Sequence, residues 1–187
     1  MITTSRLASL CGLALLLLPA LAPAANYRQA AGSSLGFRFS YQGQAMPGHF
    51  KSFDTRFSFD PAKPAAAVLD VHIPLGSAST GDGEQESTLK SSDFFNVAAF
   101  PEARFSAKGV RALGGNRYAA DGQLTLRGVS KPVTLTFTWT PGAQPVLAGS
   151  ATVPRLAFGV GGGEWADTGT IADAVQVSTR VVFATAP

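Results

Sequence analysis

The sequence predicts an all-β protein in which eight strands close into an antiparallel barrel. Apolar and polar residues alternate in eight separate runs, the period of a strand with one buried face. Turn residues separate most of these runs, at Asp60-Pro61, Gly114-Gly115-Asn116, Gly128 to Lys131 and Pro141-Gly142. Phenylalanine dominates the aromatics, with 13 Phe against 3 Tyr and 2 Trp, and a ring without a polar handle points to a purely apolar interior surface. Closing the sheet removes its exposed edges. Eight strands then enclose an interior that side chains just fill or that holds one apolar ligand. A two-sheet sandwich satisfies the same alternation. A small outer-membrane barrel does too, but it needs lipid-facing apolar bands and aromatic girdles that so few Tyr and Trp poorly supply.

In chain order, residues 1–24 read as a secretory signal peptide. Arg6 supplies a basic n-region, Leu7 to Leu18 an apolar h-region, and Ala22-Pro23-Ala24 an A-x-A cleavage pattern. The expected product is a periplasmic protein cut near Ala24, with residues 25–187 as one domain of sufficient length for a sizeable core. Cys11, the sole cysteine, lies in the h-region, so the mature domain holds its fold without disulfides. The formal net charge is only +3, and no Lys/Arg cluster offers a nucleic-acid footprint.

The eight runs follow. Leu35, Phe37, Phe39 and Tyr41 share one face, then Phe53, Phe57 and Phe59, then Leu69, Val71, Ile73 and Leu75. Phe105 and Ala107 form a short fourth run, and Tyr118, Leu124 and Leu126 a fifth. In the sixth, Val133, Leu135, Phe137 and Trp139 oppose four threonines. The seventh, Leu147 to Val153, is rich in small residues, and the eighth carries Val175, Val177, Val181 and Phe183.

Residues Gly76 to Pro101, between the third and fourth runs, make too long a connection to lack structure in a compact domain. The spacing of Leu89, Phe94 and Phe95 predicts one or two helical turns within residues 84–96, and Pro101 returns the chain to extended form. Phe94, Phe95 and Phe100 either plug one barrel end or simply complete the core.

Four segments carry a resemblance: GHFKSFDTRFSFDP (48–61), STLKSSDFFNVAAFPEARFSAKGV (87–110), YAADGQLTLRGVSKPVTL (118–135) and FGVGGGEWADTGTIADAVQV (158–177). Together with the entry strand LGFRFSY they span nearly all of residues 25–187, and they resemble the YceI family of secreted bacterial proteins. That resemblance implies a lipocalin-like eight-stranded antiparallel barrel with a short helical insertion at the Asp-Phe-Phe segment. It implies an interior pocket for a long apolar chain, such as a polyisoprenoid, a quinone tail or a fatty-acid derivative, and no catalytic residues. Many members carry an Arg-Asp pair before the helical segment. This chain has Asp82-Gly83-Glu84-Gln85-Glu86 there, a departure that bears on headgroup choice.

Two motifs invite catalytic readings. Gly32-Ser33-Ser34-Leu35-Gly36 matches G-x-S-x-G, yet a nucleophile elbow needs a preceding strand and a following helix, and here a strand follows. Gly159-Val160-Gly161-Gly162-Gly163 has Glu164 where a dinucleotide loop needs glycine, so it reads as a rim loop before Trp165, which either caps the pocket mouth or packs on the rim. His49 and His72 show no metal spacing, and His72 falls on a polar strand face. No catalytic residue, metal or cofactor is expected.

The candidate pocket lining is Phe37, Phe39, Phe57, Phe59, Val71 and Ile73 from the first three runs. Leu89, Phe94 and Phe95 join from the insertion, Phe105, Leu124, Leu126, Leu135 and Phe137 from later strands, and Phe158 and Trp165 from the last loop. The expected partner is an apolar lipid, polyisoprenoid or quinone, with transient membrane contact and a homodimer both compatible with such a role. The other reading is a non-enzymatic interaction module whose filled barrel presents loops to a partner protein. A continuous cavity distinguishes the first, a solid core the second.

Overall fold

The computed structural model describes residues 25–185; the predicted leader lies outside them. Among the described residues are twelve strands and one α-helix: β1 (Ala25–Gln29), β2 (Ser34–Tyr41), β3 (Gln44–Phe50), β4 (Asp54–Phe59), β5 (Val68–Pro74), β6 (Ala78–Ser79), α1 (Gly83–Lys90), β7 (Glu102–Lys108), β8 (Arg111–Gly114), β9 (Arg117–Leu126), β10 (Val129–Thr140), β11 (Val146–Pro154) and β12 (Ala174–Thr185). The ring β1-β4-β5-β7-β9-β10-β11-β12 closes through β1–β12 pairing, and every pair is antiparallel. The eight-stranded barrel with a short helical insertion is therefore the fold.

Two bent strands account for two of the extra segments, β2 and β3, while β6 is a short strip on β3 and β8 one on β9. β1 and β2 form one path broken at residues 30–33, and β3 and β4 another broken at 51–53. The long β12 pairs with β2 over Gln176 to Arg180 and with β1 from Phe183 onward. Ser33 holds the first break: its hydroxyl donates to Ala30 O at 2.8 Å and accepts from Val182 N–H at 3.0 Å. That is the role of the G-x-S-x-G serine. β2 and β3 meet in a two-residue turn, Gln42-Gly43, with φ of 49° and 79°, which suits the right-handed twist of a hairpin. The turn expected over Gly128 to Lys131 is tighter: Arg127 and Gly128 make it, and β10 already starts at Val129.

Outward faces carry Arg56, Asp70, Arg104, Arg111 and Asp121, which form ion pairs there. A lipid-facing barrel needs an apolar band on that surface. On β5 and β7, His72 lies 3.0 Å from Glu102 and 3.2 Å from Asp70, and Arg104 bonds Asp70 at 2.7 Å. Glu102 and then Asp70 raise the His72 pKa above its ordinary value, while Arg104 holds Asp70 below the usual carboxylate range.

Inside, one barrel end is solid. Phe57 and Phe59 stack at 4.8 Å, Phe59 meets Tyr118 edge-on at 5.1 Å, and Trp139 sits 5.2 Å from Phe59 and 5.1 Å from Tyr27. Phe137 stacks on Tyr118 at 5.5 Å, and Phe183 completes the cluster. These offset and edge-to-face rings form a packed floor.

Candidate functional site

Above the floor the barrel is hollow. An inner chamber of about 150 Å³ lies among Phe105, Leu124, Leu126, Leu135, Val71 and Ile73. An outer cavity of about 420 Å³ opens beyond it, walled by Phe39, Leu89, Phe94 and Trp165. Phe37 and Phe95 are the two residues that line both. Strand alternation carries the β-strand residues inward, and the insertion and the last loop supply the rest.

Four predicted lining residues belong elsewhere. Phe57, Phe59 and Phe137 are in the floor, and Phe158 is buried at the end of the 3₁₀ turn Arg155–Phe158; none of them lines either cavity. Their inward parity was legible, but parity says nothing of height along the barrel axis. Side chains at the packed end meet one another instead of leaving space.

The insertion forms a lid. Asp82 caps α1, its carboxylate accepting from the N–H groups of Glu84 and Gln85 at 3.0 Å each. Glu86 ties the helix down by accepting from the buried Ser79 hydroxyl at 2.5 Å, with Lys51 and Lys90 beside it. After Ser91 the chain turns so that Phe95 N–H donates to Leu89 O, which points Phe94 and Phe95 into the barrel. Phe94 meets Trp165 at 5.5 Å between ring centroids, so Trp165 caps the mouth with it. Phe100 is not part of this plug; it packs over Gly128 on the β9–β10 turn.

Two arginines that sequence patterns do not single out hold the mouth together. Arg127 donates to the carbonyls of Ser92, Asp93 and Gly159, joining the lid to the last loop. Arg155 is 3% exposed and lines the outer cavity. Its Nε donates to Ala172 O, Nη1 to Val160 O and Gly161 O, and Nη2 to Trp165 O and Ile171 O. Burial pulls its pKa below the ordinary arginine value, and Asp173 works against that. A guanidinium with all five donors placed on carbonyls is a brace for the loop.

Polarity is distributed unevenly. Glu84, Gln85, Thr88 and Arg155 border the outer cavity. Thr55 and Thr179 are the only polar side chains of the inner chamber. Thr179 donates to Ser34 O at 3.1 Å, while the Thr55 hydroxyl, on a residue 1% exposed, has no hydrogen-bond partner among the described residues.

A closed antiparallel barrel with a packed floor, an apolar lumen and a lidded mouth defines a class of ligand-enclosing β-barrels. The YceI-like domain model matches residues 28–183, and the chain belongs to that family. Among relatives, a UPF0312 protein of Shewanella denitrificans is 40% identical over 133 residues, 69% of each chain. A UPF0312 protein of Photorhabdus laumondii is 40% identical over 126 residues. The match spans 65% of this chain and 65% of that relative's length. Burkholderia cenocepacia BcnA superposes with a TM-score of 0.78 at 33% identity, covering 81% of this chain and 96% of its own. A polyisoprenoid binding domain from Saccharophagus degradans shares the fold with a TM-score of 0.67 at 15% identity, over 87% of this chain and 99% of its own.

Proposed function

We propose that this chain is an exported, periplasmic carrier or reservoir for a lipid with one long apolar chain, an isoprenoid or quinone tail above all. The observation that carries this reading is the hollow, hydrocarbon-lined upper barrel. Each CH₂ that leaves water for such a lumen contributes about 0.8 kcal/mol, so a chain of several isoprene units binds without specific polar contacts. The floor sets the depth of entry. Polar groups gather at the mouth, so the chain enters tail first and a headgroup rests near Trp165 and Thr88. The shared fold with the Saccharophagus degradans domain supports an isoprenoid as the chain class. Export rests on the leader pattern of residues 1–24, and loading from a membrane follows from where such lipids reside.

Binding, not catalysis, suits the mouth: Arg155 has no N–H left for a substrate, and Arg127 is committed to the lid and loop backbone. The interaction-module reading requires a filled barrel, and the two chambers count against it.

The test uses Trp165. A long-tailed quinone titrated into delipidated protein should quench tryptophan fluorescence saturably at one equivalent, and Trp165→Phe should remove most of the quenching. Quenching that never saturates would refute the reading.

A further inference from the structure

We propose that Phe37, packed against Gly48, is the gate between the two chambers and sets the length of chain the barrel accepts. The inference rests on the lipid-carrier reading and adds the determinant of chain length to it.

The chambers have only Phe37 and Phe95 in common, so a chain passing from one to the other passes between these rings. Phe50 braces both, at 5.3 Å from Phe37 and 6.2 Å from Phe95. Phe37 on β2 stands directly opposite Gly48 on β3, and both positions face the lumen. A Cβ at residue 48 would lie 2.2 Å from Phe37 Cζ and 2.4 Å from Cε2, so the ring occupies the space of the missing side chain. Any residue larger than glycine must displace it.

Its alternatives are few. Phe50 stands on one side, and Val177, its partner across the β12 pairing, on the other. The remaining direction is into the lumen, across the passage. Glycine at 48 thus keeps the inner chamber joined to the outer one.

The experiment measures affinity along a ladder of isoprenoid alcohols of increasing length. Wild-type affinity should rise with each added unit until both chambers are filled. In Gly48→Ala the rise should stop at the length that fills the outer cavity. Short alcohols should bind as in wild type, and the longest should lose about tenfold or more, the worth of about two buried CH₂ groups. Adding Phe37→Ala to Gly48→Ala removes the displaced ring and should restore the rise, which no general loss of stability would permit. Phe95→Trp narrows the passage from the other side and should reproduce the truncation. An equal loss at all lengths, or a double variant that folds but does not recover, overturns the gate. A wild-type protein that binds no alcohol of any length refutes the carrier reading itself.

Discussion

Thr55 interrupts the hydrocarbon lining of the inner chamber. Its hydroxyl is buried without a partner, a state that costs roughly 1–3 kcal/mol. Valine has nearly the same shape and no such group. Thr55→Val is therefore expected to raise the stability of the ligand-free protein by about 1 kcal/mol, read as a higher denaturant midpoint at unchanged slope. A lower midpoint would mean that the hydroxyl is engaged in the folded protein. Thr55 was not legible in the sequence, because a threonine opposite Val71 looks like any other strand threonine until its surroundings are known. Arg155 was hidden for a related reason. Its partners are backbone carbonyls, which every sequence has, so no acidic residue at a telling distance reveals it. The phenylalanines were legible as inward, and Phe37, Phe94 and Phe95 do wall the cavities.

The same contrast holds among elements. Seven of the eight alternating runs fall on ring strands, β4, β5, β7 and β9 to β12, and the first falls on β2, which continues the path of β1, because one buried face imposes period two on each. β1 and β3 escaped the alternation test. β1 is five residues long, and β3 carries Pro47 and Gly48. Both residues weaken a strand pattern, and both are tolerated where β3 runs free of a second neighbour, since its pairing with β6 covers only His49 and Phe50. The lid was readable as a short helical insertion, but what fastens it was not. Arg127 reaches from the β9–β10 turn to the carbonyls of Ser92 and Asp93, and the Gly161 N–H also donates to Asp93 O at 2.8 Å. Arg127→Ala is expected to speed amide exchange across residues 91–97 by an order of magnitude, about 1.4 kcal/mol of lost local closure, while the barrel strands keep their protection. Unchanged exchange in that segment would show that α1 and its cap hold the lid unaided.

At the scale of the molecule, the barrel divides its apolar side chains by height. The lower aromatics, Phe57, Phe59, Tyr118, Phe137 and Trp139, fill their own space and supply the core that a cysteine-free domain needs. The upper ones enclose space they do not fill, and the lid and the Arg155-braced loop cover it. Packed core and open cavity therefore occupy opposite ends of one lumen. The reading proposed above turns on whether the upper end holds a lipid chain. The most direct measurement is mass spectrometry of an organic extract from the protein purified without detergent. One apolar, long-chain species at close to one molecule per protein is expected. An empty extract, still empty after incubation with quinone and polyprenol, would contradict it.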